Sequence, residues 1–366
     1  MDKIALVAIT KHGTDLIRKL SASMPEADLF YMRKHAKGDE EEKSIHLFEG
    51  SVRLKLPKLF EVYDGIVLVI SLGAVVRMIA PLIKDKKTDP AVVVLDDEGE
   101  FSISVLSGHL GGANELTRRI ASYLQATPVI TTASDVQQTI AVDLFGRDFG
   151  WTIENEEKIT SVSAAVVNEE PVVIVQESGE RNWWTYSRKL PSHFIVCHSL
   201  EEAMDKRFNA ALIVTHRLLT NEQQACLLEN GVLYRPKSVV LGIGCNRGTI
   251  AEEIERVIDE TLHQLAVSKA SVSCIATIDL KKDEQGLLDV CRKNRWSFTT
   301  YSPERLNKVK IENPSETVYK YTGAYGVSEP AAKLAAGADT LLLEKKKSGN
   351  VTISVAIKNH NHASVM

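Results

Sequence analysis

The sequence is poor in cysteine, and its cysteines follow none of the spacings that bind metals or build disulfide frameworks. Five cysteines occur among 366 residues, an odd number, and no two of them form a C-x-x-C pair. We therefore expect neither a structural zinc site nor a disulfide-rich secreted fold. Unpaired cysteines suit a reducing compartment, so a cytoplasmic protein is the expectation.

The chain also lacks a long apolar run and an excess of charge of one sign. No stretch approaches the roughly 20 apolar residues of a membrane-spanning helix, and the N-terminus shows no signal-peptide pattern. The formal net charge is -4, which gives no general attraction to nucleic acid or to a membrane surface. Neither is expected as a partner.

The glycine motifs that cradle phosphates are missing as well. No G-x-x-x-x-G-K-[ST] loop occurs, and Gly242, Gly244 and Gly248 follow the spacing G-x-G-x-x-x-G. That spacing is one residue longer than the dinucleotide-binding fingerprint. A nucleotide-dependent enzyme is therefore disfavoured.

Short β-branched runs alternate with helical periodicity, which predicts an α/β fold of several domains, with mostly parallel sheets wound with helices. We expect an N-terminal α/β domain over 1–134, a smaller central α/β segment over 135–234 that opens with a helix in "IENEEKITSVSAAVVNEE", and, after the linker "YRPKS", a separate C-terminal α/β domain over 238–358. The run "FSISVLS" predicts a hairpin with "AVVVLDD". The tail "NHNHASVM" is expected to fray, with His360 and His362 in solvent.

Glycine-containing loops follow apparent strands at "SLGAVVRMIAP", "SGHLGGAN" and "GIGCNRGT". Open α/β sheets bind ligands at the carboxyl edge, so we expect Gly73, Gly111 and Gly244 to open helices whose N–H groups attract anions there. Arg77 and Arg247 are candidates to pair with ligand carboxylates, although each also fits an ordinary surface arginine.

His109 is the candidate for chemistry, because the flanking glycines leave its ring little shielded from a ligand. Its unperturbed pKa of about 6.5 suits a general base. A loop histidine satisfied by its neighbours is the alternative. Asn114 is expected to be the N-cap of the following helix. Cys245 fits either an activated thiol or a packed side chain.

These loops, together with "TPVITTASD" and "GVSEPAA", resemble the CbiG family of anaerobic cobalamin biosynthesis, and the C-terminal part resembles the CobE family. The resemblance implies a cobalt-precorrin-5A hydrolase. Such an enzyme opens the δ-lactone of a cobalt-containing tetrapyrrole intermediate and releases acetaldehyde, giving cobalt-precorrin-5B. It also implies that the substrate carries the cobalt, so that no cofactor or protein-bound metal is expected. Homodimerisation and handover to other enzymes of the pathway are left open.

For this substrate we expect His109 to act as base, the N–H groups of Gly111 and Gly112 to bind the oxyanion, and Glu115 or Asp135 to orient the imidazole. Ligation of the substrate's cobalt by His109 and a non-catalytic corrinoid-binding or chaperone module are the alternatives. A cleft between domains is expected, with "SGHLGGAN" and "GIGCNRG" facing it. The candidate substrate-binding residues are Gly73, Arg77, Gly108, Gly111, Gly112, Asn114, Gly242, Gly244, Cys245, Arg247 and Glu329.

Overall fold

The computed structural model describes residues 1, 3–312 and 314–359, so the predictions for His360 and His362 lie outside the described residues. This part of the chain contains three sheets and divides into two compact units, Met1–Leu144 and Phe145–Met366. Most neighbouring strands are parallel and helices join them, which confirms the α/β prediction. The domain boundaries stay a prediction. No helix of the described residues combines the length and apolarity needed to cross a membrane.

The first unit is built on one sheet with strand order β3-β2-β1-β4-β5-β6-β7. Its strands are β1 Ile4–Ala8, β2 Ala27–Met32, β3 His46–Phe48, β4 Gly65–Val69, β5 Ala91–Leu95, β6 Phe101–Leu106 and β7 Thr127–Val129. Its helices are α1 Lys11–Ser21, α2 Leu56–Val62, α3 Leu72–Ile79, α4 Ala113–Leu124 and α5 Ala133–Val136.

Helices cover both faces of this sheet, because its central strands are apolar on both sides. In β1 every residue is buried. Ile4 and Leu6 join the cluster formed with α1 and α4, whereas Ala5 and Val7 join the cluster formed with α2 and α3. Alternate side chains of a strand point to opposite faces, so a continuous apolar run needs a helix layer on each.

The hairpin β5–β6 reverses the chain within the sheet. β5 is parallel to β4, but β6 is antiparallel to β5, with Leu106 opposite Val92. The carboxyl end of β6 therefore meets the amino ends of β4 and β5, and Ser107 Oγ donates to the Asp89 carbonyl oxygen at 2.9 Å. The hairpin prediction is confirmed. The expectation that the Gly73 and Gly111 loops share one sheet edge is wrong, because the reversal places them at opposite edges.

The central segment belongs to the second unit and has the strand order β10-β9-β11-β12-β8. Its strands are β8 Thr152–Ile153, β9 Val172–Gln176, β10 Phe194–Cys197, β11 Ala210–Val214 and β12 Gly231–Arg235, and its helices are α6 Ile159–Val167, α7 Leu200–Met204 and α8 Asn221–Leu227. The helix predicted over "IENEEKITSVSAAVVNEE" begins later than expected, at Ile159, and the first residue of that segment, Ile153, instead ends β8, which pairs with β12.

The predicted linker "YRPKS" is wrong at its first two residues. Tyr234 and Arg235 are 0% and 2% exposed and end β12. The Arg235 guanidinium donates to the carbonyl oxygens of Thr215 and Arg217 at 3.0 and 2.6 Å and pairs with Glu154 Oε2 at 2.9 Å. A buried arginine needs such acceptors, and only the fold supplies them.

The C-terminal sheet has the order β15-β14-β13-β17-β16. Its strands are β13 Val239–Cys245, β14 Val272–Ile278, β15 Ser297–Tyr301, β16 Leu343–Ser348 and β17 Val351–Ile357, and its helices are α9 Ala251–Gln264, α10 Gln285–Asn294, α11 Pro303–Leu306, α12 Glu316–Thr322 and α13 Ser328–Ala336. Antiparallel pairing of β16 with β17 confirms the predicted terminal hairpin.

Gly242 lies inside β13, where α13 packs directly on the strand. A Cβ atom at this position would lie 1.8 Å from the Ser328 carbonyl oxygen and 2.8 Å from Ala332 Cβ. At Gly244, two residues along the same strand, the nearest atom would lie 3.6 Å away, on Val327. Helix packing therefore requires glycine at Gly242 but not at Gly244.

We expect Gly242→Ala to lower the free energy of unfolding by about 2 kcal/mol, because α13 must move away from the strand. Gly244→Ala should leave it unchanged or raise it by about 0.5 kcal/mol, since alanine restricts the unfolded chain. Urea unfolding followed by tryptophan fluorescence, to which Trp296 in the core of this sheet contributes, measures both. Equal losses for the two variants would contradict this packing account.

Candidate functional site

The "SGHLGGAN" loop is a closed turn between β6 and α4. The Gly112 N–H donates to the His109 carbonyl oxygen at 2.9 Å, and the Ala113 N–H donates to that of Ser107 at 3.1 Å. Gly112 has φ 84°, and a Cβ on Gly111 would lie 2.3 Å from Ser107 Cβ. Both glycines are thus required by the turn itself. Gly112 is the N-cap of α4.

The turn places the His109 ring between two carboxylates. His109 Nε2 lies 3.0 Å from Asp135 Oδ2, and Nδ1 lies 3.2 Å from Asp143 Oδ1. The Ser134 hydroxyl is also 3.0 Å from Nε2. The side chains of His109, Asp135 and Asp143 are each only 16–18% exposed. Asp135 and Ser134 come from α5, which follows β7 at the same sheet edge as the β6 loop.

Asp135 is held by several donors besides His109. Asn114 Nδ2 donates to Asp135 Oδ2 at 2.8 Å and to the Thr132 hydroxyl at 3.0 Å. Arg118 Nη2, one helical turn beyond Asn114, pairs with Asp135 Oδ1. Asn114 is 4% exposed and lies in the first turn of α4, so its predicted role as N-cap is wrong. It anchors Asp135 instead.

Electrostatics follow from these contacts. Hydrogen bonds to Asp135 and Asp143 outweigh burial and raise the pKa of His109 to about 9. Hydrogen bonds from His109 and Arg118 outweigh burial and lower the pKa of Asp135 to about 2. Both shifts favour the same state, an imidazolium held between carboxylates.

This geometry favours an imidazolium over the neutral base expected from the sequence, and the role of His109 as general base stays a prediction. An imidazolium with both nitrogens directed at carboxylates has no lone pair to accept a proton. It can donate a proton or stabilise negative charge. The same contacts leave neither nitrogen free to ligate a metal ion without breaking an ion pair.

The contacts of the other candidate residues at this loop differ in part from those expected. Glu115 is exposed and has no hydrogen bond or ion pair with His109, because it lies on the solvent side of α4. Asp135 does contact His109, as the sequence predicted. The Gly112 N–H is used within the turn and cannot serve an oxyanion, whereas the described residues offer the Gly111 N–H no partner.

Sequence reasoning missed four residues of this site: Asp143, Ser134, Thr132 and Arg118. Arg118 had a detectable signal, since Asn114 and Arg118 are spaced i,i+4 on a predicted helix. Asp143 follows an irregular segment after α5 and carries no motif. Within the described ranges no group of three or more His, Cys, Asp or Glu side chains is arranged to hold a metal ion.

Gly73 and Arg77 lie apart from this network, at the opposite edge of the sheet. Gly73 is the second residue of α3, as expected for a strand-to-helix turn. Arg77 is exposed, and its Nη1 donates to the Gly73 carbonyl oxygen of its own helix at 3.0 Å. The structure thus joins neither residue to His109.

The C-terminal candidates lie around the carboxyl end of β13. Gly244 and Cys245 belong to β13, and α9 begins only at Ala251, so the expected helix N-terminus at Gly244 is wrong. Burial raises the pKa of the Cys245 thiol, which disfavours an activated thiolate. Glu329 is buried in the first turn of α13.

Arg247 is already engaged within the protein. Its Nη1 pairs with Asp283 Oδ1 at 2.7 Å, and its Nη2 donates to the Leu280 carbonyl oxygen at 2.8 Å. The sequence analysis expected a ligand carboxylate as the partner of Arg247, and in the structure the carboxylate of Asp283 takes that place. The arginine fastens the loop after β13 to the segment after β14.

Comparison with known families matches the chain in three consecutive segments. Residues 55–135 match the family described as Cobalamin synthesis G N-terminal, residues 140–236 match Cobalamin biosynthesis central region, and residues 239–356 match Cobalamin synthesis G C-terminus. The His109 loop with Asp135 falls in the first segment and the β13 loop in the last.

Curated relatives extend over nearly the whole chain. A protein named Cobalt-precorrin-5A hydrolase from Priestia megaterium is 61% identical over 96% of this chain and 94% of its own. One of the same name from Salmonella typhimurium is 30% identical over 97% and 98%. Protein CobE from Sinorhizobium sp. is 31% identical over 32% of this chain and 79% of its own, in accordance with the predicted CobE-like segment.

The raised pKa of His109 predicts a pH dependence of stability. Because the folded pKa of about 9 exceeds the unfolded value of 6.5, the ion pairs stabilise fully below pH 6.5 and lose this contribution as the pH rises through 9. We expect His109→Gln to lower the unfolding temperature strongly at pH 6 and much less at pH 9.5.

Far-UV circular dichroism is the suitable probe, since all four tryptophans, Trp151, Trp183, Trp184 and Trp296, lie outside the first unit. His263→Gln, at an exposed position of α9, is the matched control and should show no such trend. A loss for His109→Gln that does not change with pH would show that His109 is not held as an imidazolium.

Proposed function

The chain belongs to the cobalamin synthesis G family, and from this membership we propose that it is a cobalt-precorrin-5A hydrolase of anaerobic cobalamin biosynthesis. The observation that carries the proposal is the 61% identity, over 96% of the chain, to a protein of that name. The substrate is a cobalt-containing corrinoid intermediate, and the cobalt enters and leaves with it. The protein works in the cytoplasm and needs no cofactor of its own.

The reaction consumes one water molecule and opens the δ-lactone. Water adds to the lactone carbonyl, the ester C–O bond breaks, and a carboxylate and an alcohol result. Loss of the alcohol proton then forms the aldehyde C=O as the adjacent carbon–carbon bond breaks. The electron pair of that bond stays on the macrocycle, and acetaldehyde leaves. The chemistry requires a base for water and a proton donor for the alkoxide.

Asp143 is the candidate base. Its Oδ1 contacts His109, and the described residues supply no partner for Oδ2, so that oxygen is open to a water molecule. Asp135 is less suited, because His109, Asn114 and Arg118 occupy both of its oxygens. Those contacts also hold its pKa near 2, which makes it a weak base. Asp135 is a positioning residue.

His109 is the candidate acid. As an imidazolium it can stabilise through its charge the oxyanion that forms on the lactone carbonyl, and it can protonate the leaving alkoxide once that oxygen displaces one of the two carboxylates. The Gly111 N–H of the same turn, which has no acceptor among the described residues, is a further candidate donor to the oxyanion. The non-catalytic corrinoid-binding alternative would leave this histidine with no chemical role.

Incubation of the purified protein with cobalt-precorrin-5A, with acetaldehyde trapped by a hydrazine, tests the proposal. We expect turnover by the wild type and a fall of roughly two to four orders of magnitude for Asp143→Asn and for His109→Gln. Glu115→Gln, an exposed neighbour on α4, should be unchanged. Corrinoid binding without acetaldehyde would establish the binding module instead.

The pH–rate profile separates the two roles of His109. An imidazolium acid predicts a rate that falls as the pH rises through about 9. A neutral imidazole base would give a rate that rises through a pKa near 6.5. The second outcome would overturn the assignment of His109 as acid while leaving the hydrolase assignment intact.

A further inference from the structure

The C-terminal sheet has a pocket of about 460 Å³ at the carboxyl ends of β13 and β14. Gly244 and Cys245 line it from β13, Ser328 lines it from the start of α13, and α12 forms one wall. Residues of both the "GIGCNRG" and the "GVSEPAA" motif therefore line this one pocket. It is a site distinct from the His109 network of the first unit.

Two lysines of the edge strand β16 face this pocket. Lys345 and Lys347 line it, and Lys347 lies opposite Thr352 of β17, which lines it as well. Lys346 lies on the other face, opposite Ile353 of the core, and its Nζ donates to Gln264 at 2.8 Å. Neither Lys345 nor Lys347 has an ion-pair partner among the described residues.

The third lysine of the pocket is neutralised. Lys281 pairs with the buried Glu284 at 3.0 Å, with side-chain exposures of 15% and 3%. Hydrogen-bonding groups of Asn246, Asn350 and Thr317 also line the wall. The lining therefore carries a net positive charge from Lys345 and Lys347. Their ammonium groups are donors suited to carboxylates.

Helix α12 adds an aromatic rim. Thr317, Tyr321 and Thr322 line the pocket from one face of this helix. Tyr321 is 77% exposed, whereas Tyr319 and Tyr325 stack on each other with ring centroids 4.4 Å apart. The phenol ring of Tyr321 thus offers an exposed apolar face at the same pocket as Lys345 and Lys347.

We propose that this pocket binds a carboxylate-bearing edge of the corrinoid, with Lys345 and Lys347 pairing with peripheral carboxylates and Tyr321 packing on the flat ring. The inference rests on the proposed function for the identity of the ligand. The pocket is smaller than a substituted tetrapyrrole, so it takes one edge of the ring and leaves the rest outside.

A second basic cavity, of about 400 Å³, suits such a ligand less well. Lys237, Arg295 and Lys358 line it at the opposite edge of the same sheet. Its aromatic residue, Tyr301, is only 9% exposed and offers no ring face to a macrocycle. Lys358 therefore provides a control for non-specific attraction of an anion.

Binding of dicyanocobyrinic acid, whose peripheral carboxylates are free, is measured by titration of the full chain and compared with amidated dicyanocobinamide. We expect the wild type to prefer the acid. Lys345→Gln combined with Lys347→Gln should weaken binding of the acid about tenfold at low salt, and the loss should shrink at high salt. Tyr321→Leu should weaken it about fivefold at either salt concentration.

Lys346→Gln and Lys358→Gln are the controls, made singly and also combined so that two charges are removed as in the test variant, and all of them should bind as the wild type does. A tenfold loss in any control, no loss in the double variant of Lys345 and Lys347, or no binding of the acid by the wild type would overturn the pocket assignment. Binding does not depend on turnover. If the double variant weakens binding but the wild type releases no acetaldehyde, the proposed hydrolase activity is refuted and the pocket assignment stands. If the wild type releases acetaldehyde but the double variant binds the acid as tightly as the wild type does, the pocket assignment is refuted and the hydrolase activity stands.

Discussion

The ion-paired imidazole of His109 links three segments that are distant in the sequence. The turn after β6 carries the ring, α5 carries Asp135, and the chain beyond α5 carries Asp143. Each nitrogen has a carboxylate within 3.0–3.2 Å, so the position of the ring and its charge are set together. Asn114 and Arg118 of α4 complete the frame by holding Asp135 from the other side. In the proposed reaction this arrangement places the acid, His109, directly beside the base, Asp143.

The directions of the strands determine which loops lie at the same sheet edge as the His109 imidazole. Because β6 runs against β5, the His109 turn and the segment after β7 lie at one edge of the first sheet, whereas Gly73 and Arg77 lie at the other. In the C-terminal sheet the pocket beside Gly244 and Cys245 lies at the carboxyl ends of parallel strands. The proposed acid–base groups and the proposed carboxylate-binding lysines belong to different compact units.

Much of the fold was predictable because it depends on local patterns. The buried strands β1, β4 and β5 are continuous apolar runs, and turn residues marked the hairpin β5–β6. Asp135 was predicted as a partner of His109, but Asp143 was not, since no motif or period marks it. Arg235 was assigned to a linker because arginine is normally exposed, and the carbonyl oxygens that satisfy it exist only in the fold. The unperturbed pKa of histidine suggested a base, whereas the two carboxylates beside the ring, which are distant in the sequence, favour the imidazolium. Long-range contacts, rather than propensities, determine these features.

The protonation state of His109 is the central claim, and nuclear magnetic resonance measures it directly. Titration of a protein labelled with ¹⁵N in its histidines, with His109→Gln used to assign the resonance, follows both ring nitrogens against pH. The account predicts that His109 shows the signature of a doubly protonated ring at pH 7 and titrates with a pKa near 9. A neutral ring at pH 7, with a pKa at or below 6.5, would contradict it.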